Sequence, residues 1–194
     1  MTALHNSTNS LRRAWAAFGA GKMSEAELTC RLALATDRKN FDALHLMGLI
    51  EFQRGRTEQA QEFIRQALKI NARSVPALCN LGLVLQKQEQ SEEALGALDK
   101  ALRIDPNNVL ALNNRGHILW RLKRADEALE SLNRALSIKP DYADALCNRG
   151  NIYTDLEQFE KALCDFDAAL KIHRSDPVIL NNRCLLYTSD AADE

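Results

Sequence analysis

Gly48, Gly82, Gly116 and Gly150 stand 34 residues apart, and two alanine series, Ala60, Ala94, Ala128, Ala162 and Ala67, Ala101, Ala135, Ala169, keep the same interval. Three registers locked to one period restrict the chain to a stack of one repeated supersecondary unit. Such a unit cannot bury its apolar face alone, so neighbouring units must complete each other's core. Leu44, Leu78, Leu112, Leu146 and Leu180 recur on the same period, as do Ile64, Leu98, Leu132 and Phe166, and they supply an apolar stripe at helical spacing. The glycines and alanines mark where two helix backbones come too close for larger side chains. Pro106, Pro140 and Pro177 fall near the joints between units and Pro76 in a first helical turn, where a missing N–H costs least. Each unit is therefore expected to be helix, short turn, helix, in an all-α chain.

The glycine and the two alanines lie 12 and 7 residues apart, and Pro106 and Pro140 follow the second alanine by five. In this spacing the unit resembles the tetratricopeptide repeat (TPR) family. With glycine as the eighth position, the repeats run 41–74, 75–108, 109–142 and 143–176. A degenerate repeat at 7–40 precedes them, with Ala14 in place of the glycine and Ala26 and Ala33 in register, after an amino-terminal tail at 1–6. A partial repeat occupies 177–183. The resemblance implies a right-handed superhelical solenoid of antiparallel helix pairs, about five repeats plus a truncated sixth, with the first helices lining its concave side.

At 184–194 the string CLLYTSDAADE puts Cys184 where the next repeat demands glycine. It looks like the in-frame translation of a sequencing adaptor, with an irregular capping helix as the alternative. The expectation is that these residues are not native, that the chain is a fragment, and that the natural protein continues past Arg183.

Lys+Arg number 25 and Asp+Glu 26, so no basic excess points to nucleic acid. No segment approaches the roughly 20 continuous apolar residues of a membrane span. Cys30, Cys79, Cys147, Cys164 and Cys184 form no CxxC pair, which suits a reduced, cytoplasmic protein. Cys79 and Cys147 share one repeat position and read as small groove residues. His5, His45, His117 and His173 have no Cys or carboxylate at ligand spacing, and no phosphate-binding or nucleophile motif occurs. No catalytic residue, metal or cofactor is expected.

Carried over from the family, the concave positions of the first helices are 2, 5, 6, 9, 12 and 13. Position 6 holds Asn80, Asn114, Asn148 and Asn182, with Leu46 breaking the series. An amide offers one acceptor and two donors, which match the C=O and N–H of an extended peptide. The row resembles the asparagine ladder in the repeat arm of O-linked N-acetylglucosamine transferases. The other reading is that these amides satisfy neighbouring repeats. Asn113, His117, Trp120, Arg121 and Asn151 complete the candidate peptide-binding set, with Asp144, Thr154 and Asp155 nearby, and an exposed Trp120 as the foremost anchor. Leu11, Trp15, Phe18, His45, Leu46, Leu49, Phe52 and Leu83 make the amino-terminal half apolar, open to self-association or to internal packing. Arg115, Arg149 and Arg183 at position 7 depart from the family's apolar residue, and snorkelling, with the stems over apolar surface and the guanidinium at the helix edge, is favoured over contact with an acidic partner. Lys at position 5, which marks the family's clamp on a terminal carboxylate, is replaced by His45, Cys79, Asn113 and Cys147.

The functional expectation is a scaffold or adaptor that binds a peptide or protein in its groove, without nucleic acid or membrane. The rival reading makes the repeats the substrate arm of a larger enzyme, such as an O-linked N-acetylglucosamine transferase-like glycosyltransferase.

Overall fold

A computed structural model describes residues 2–190, and among these the side chains of residues 9–184 and Leu186. Within that range the chain is eleven α-helices with no strand: α1 Thr2–Gly19, α2 Met23–Thr36, α3 Phe41–Gln53, α4 Thr57–Ile70, α5 Val75–Lys87, α6 Ser91–Ile104, α7 Val109–Arg121, α8 Ala125–Ile138, α9 Ala143–Asp155, α10 Phe159–Ile172 and α11 Pro177–Asp190. They form two compact units, α1 to α6 ending at Ile104 and α7 to α11 beginning at Asp105. In each unit consecutive helices pair as antiparallel hairpins, and each hairpin packs on the next, the helix-pair construction of a TPR solenoid.

Local chemistry repeats with the period. Asn40, Ser74 and Asn108 precede α3, α5 and α7, and each side-chain oxygen accepts the N–H of the residue three further on, at 3.0, 3.4 and 3.0 Å. Asp176 does the same for α11, accepting from Val178 and Ile179. These bonds satisfy N–H groups that have no partner within the helix. The turn inside every hairpin places one residue in the left-handed region, at Gly21, Gly55, Glu89, Lys123 and Glu157.

The small-residue registers behave as close packing requires. Ala60, Ala94, Ala128 and Ala162 on the second helices are fully buried. A Cβ added at Gly48 would stand 2.5 Å from Ile64 Cγ1, at Gly116 2.6 Å from Leu132 Cγ and at Gly150 2.8 Å from Phe166 Cε1. At Gly48 and Gly116 the carbonyl oxygens of Ala60 and Ala128 also stand 3.2 Å away, so the neighbour cannot simply turn aside. Gly116→Ala is therefore expected to lower the stability of the second unit by about 1–3 kcal/mol in urea melts. Gly82→Ala, whose nearest atom is Leu98 Cγ at 3.0 Å, should cost less. Equal losses at the two glycines would contradict the packing.

One core expectation changes, and two helix boundaries are added to the sequence reading. α1 begins at Thr2, so residues 2–6 belong to the first helix, because no proline or glycine interrupts the run before Gly19. Leu44, Leu78, Leu112 and Leu146 are buried, but Leu180 is 40% exposed, since no second helix follows α11 among the described residues to cover it. α11 itself runs past residue 184 to Asp190. Positions 1 and 191–194, including the end of the string read as adaptor, lie outside the described residues.

Candidate functional site

The first helices of the second unit, α7, α9 and α11, carry eight of the nine candidate residues, and Asn80 on α5 is the ninth. Along an α-helix, residues three, four and seven apart share a face, so Asn113, Asn114, His117, Trp120 and Arg121 lie on one side of α7.

In the first unit Asn80 is half-buried and its Nδ2 lies 2.8 Å from Nε2 of His45 on α3. The amide donates there, so the ring accepts at Nε2 and carries its proton on Nδ1. Trp15 meets the His45 ring edge-on at 5.6 Å and Phe41 lies 5.6 Å away, tilted. Leu11, His45 and Leu46 are buried in this cluster, and Trp15, Phe18, Leu49, Phe52 and Leu83 are half-buried. The degenerate first hairpin thus covers much of the apolar surface read from the sequence.

In the second unit the amides pair with one another. Asn148 Nδ2 donates to Asn113 Oδ1 at 2.9 Å, Asn113 Nδ2 to Asn114 Oδ1 at 3.3 Å, and Asn182 Nδ2 to Asn151 Oδ1 at 2.9 Å. Asn113 and Asn114 are buried, whereas Asn148, Asn151 and Asn182 are half-buried. Asn114 Nδ2 is buried and makes no hydrogen bond. Trp120 is half-buried rather than exposed: its indole N–H donates to Asp155 Oδ2 on α9 at 2.6 Å, and its ring lies 5.9 Å from that of His117. The indole and Asp155 border a cavity of about 310 Å³ with Ile152 and Leu156. Arg121 ends α7, exposed.

The arginine row turns to neighbouring helices. Arg115 Nη1 donates to Ser131 Oγ on α8 at 2.6 Å, and Arg183 Nε to Asp167 Oδ1 on α10 at 2.6 Å. Arg149 grips both carboxylate oxygens of Asp165 on α10, at 2.8 and 2.7 Å, and Asn133 Oδ1 on α8 at 2.7 Å. Sequence reasoning had these arginines snorkel to the helix edge, and it missed Asp165. Its signal was a carboxylate one residue before the core position of Phe166.

Titration follows burial. Burial pushes the Cys30 thiol up to about 11 and that of Cys147 up to about 12, so neither is an activated nucleophile. Burial lowers the pKa of His45, against an opposing pull from Asp42, and burial then Arg121 lower that of His117. Both rings are neutral in the fold at pH 7, while the unfolded chain takes up protons near the ordinary value of 6.5. Where the unfolded state binds more protons, stability rises with pH. Stability is thus expected to hold above about pH 7 and to fall below 6.5, by at most about 1.4 kcal/mol per pH unit for each histidine. Urea midpoints compared at neutral and mildly acid pH check this, with His45→Gln removing the first unit's share. A midpoint that does not move would refute it.

No helix among the described residues is long and apolar enough to cross a membrane. Tetratricopeptide repeat family models match residues 79–143 and 143–176, and the model of anaphase-promoting complex, cyclosome, subunit 3 matches residues 20–101. A search among curated proteins gives no match. Among solved structures the chain is similar to YrrB, a TPR protein with an unusual peptide-binding site, with 26% identity, 89% of each chain covered and a TM-score of 0.68. It is also similar to PilF of Pseudomonas aeruginosa, with 18% identity, 98% of this chain and 87% of that one covered and a TM-score of 0.87. TTC0263, a thermophilic TPR protein of Thermus thermophilus, gives 19% identity, 94% and 99% coverage and a TM-score of 0.77. The last two likenesses show the fold alone.

Proposed function

The chain belongs to the tetratricopeptide repeat family, and we propose that it is a binding module that holds an extended segment of another protein against the first helices of its second unit. The observation that carries this reading is the buried, unpartnered Nδ2 of Asn114, beside the amide pair of Asn113 and Asn148. An unmade buried donor costs about 1–3 kcal/mol, and a backbone C=O from a bound peptide recovers it once the Asn114 amide turns outward to meet it. Half-buried Trp120 with its cavity supplies an apolar anchor point next to that donor row, and exposed Arg121 a cation at its edge. The peptide-binding site of YrrB, at 26% identity, supports the same reading.

Peptides selected against the whole protein from a random display library provide the ligand for the test. Asn114→Ala and Asn148→Ala are each expected to weaken the selected peptides about tenfold, the equivalent of one backbone hydrogen bond, while the helical circular dichroism is kept. Unchanged affinity in both variants would refute backbone reading by these amides.

A further inference from the structure

The first unit carries an open surface of its own, among its second helices. A groove of about 710 Å³ runs between α4 and α6 with α5 as its floor. Leu78, Leu81 and Leu85 form the floor, and Arg65, Lys69 and Lys100 stand around it. Arg65 Nη2 reaches Glu93 Oε2 at 2.8 Å, while Lys69 and Lys100 have no ion-pair partner among the described residues. The rim therefore carries three cations to one carboxylate.

The period makes this opening informative, because the same cleft recurs with bulkier side chains in it. One repeat earlier, the places of Leu81 and Ala97 are taken by Met47, buried, and Phe63, packed against the core cluster. Two repeats later they are taken by Arg149 and Asp165, locked by two hydrogen bonds, and the cavity they border is about 290 Å³. Only small or floor-hugging side chains occupy the positions in repeat 75–108. Gly96 adds a second, independent observation: it lies in the middle of α6, where glycine weakens a helix, yet a Cβ there would meet nothing within 4 Å. It serves neither the turn nor the helix packing that the period-locked glycines serve. Its effect is to keep the wall of this groove low.

We propose that the α4–α6 groove docks a helical segment of a partner protein that presents apolar side chains flanked by carboxylates. The apolar floor receives the side chains. The unpaired Lys69 and Lys100 face the carboxylates, which fixes the sign of the partner's charge. The surface shares no residue with the first-helix site of the second unit, so this protein joins two polypeptides.

The test uses the full chain and a synthetic helical peptide with two leucines four residues apart among glutamates, with a control peptide carrying lysines instead. The acidic peptide is expected to bind saturably and to be weakened about tenfold or more by Gly96→Leu and by Lys69→Glu with Lys100→Glu. Gly96→Leu adds bulk at the mouth, where a Cβ meets nothing within 4 Å, and Ala97→Phe, which copies Phe63, provides a second plug. Asn148→Ala should leave this binding unchanged, which separates it from the first-helix site. No saturable binding, equal binding to the plugged variants, or equal binding of the lysine peptide overturns the proposal. Saturable uptake of laurate without the peptide would instead assign the groove to a free apolar anion and overturn it as well.

Discussion

Phe166→Ala is expected to destabilise the second unit by about 3–5 kcal/mol, since Phe166 is the largest fully buried side chain among the described residues. The ring is fully buried on α10 and lies directly beneath Gly150 of α9, where an added Cβ would come within 2.8 Å of it. Glycine on one helix and phenylalanine on the other are therefore one packing solution. Deleting the ring leaves a void that the glycine cannot fill, and in a solenoid only neighbouring hairpins can relax around it. Phe166→Leu should cost far less, about 1 kcal/mol, because Leu98 and Leu132 hold the same position in other repeats and the change removes only a few carbons. Urea melts of the whole chain check both figures. A loss below about 1 kcal/mol for the alanine variant would mean that the α9–α10 hairpin is not closed around this ring.

How far the sequence reaches can be seen in the same residues. Gly150 and Ala162 are legible because packing allows nothing larger where two backbones meet, and the 34-residue period follows from that restriction alone. Helix starts are legible for a similar reason: Asn40, Ser74, Asn108 and Asp176 have short polar side chains that cap the helices they precede. The beginning of α1 was not legible, because a polar stretch without breakers carries no boundary signal. Polar partnerships were harder still. Asn80 reaches His45, Asn148 reaches Asn113 and Trp120 reaches Asp155, each across 35 residues. That offset is one repeat plus one residue, joining positions 5 and 6 or 12 and 13 of adjacent first helices. The amides were identified as a row from their identity, but an amide bonds ligand and neighbour equally well. Only geometry separates the paired Asn148 from the unpartnered nitrogen of Asn114. The α4–α6 groove was invisible for the opposite reason, since its content is an absence of bulk at Gly96 and Ala97.

The brace that narrows the corresponding cleft in the second unit permits the most discriminating experiment. Arg149→Leu is expected to cost about 3 kcal/mol or more, because it leaves the carboxylate of Asp165, 7% exposed, without the cation that holds both of its oxygens. Asn133, on the exposed side, loses its bond to the guanidinium but regains one to water. Adding Asp165→Ala to Arg149→Leu copies the Leu81 and Ala97 of repeat 75–108, and removing both members of a buried pair is often neutral, so the double variant should return to within about 1 kcal/mol of the native chain. A single variant as stable as the native protein would show that water already satisfies Asp165, and the brace would lose its structural meaning. The double variant also tests what the first unit's groove requires. It widens the cleft beside α9, but Ser137 and Ala168 stand where Lys69 and Lys100 stand in the first unit. If the groove recognises charge as well as shape, the widened cleft should take up no acidic helical peptide until lysines are placed at those two positions.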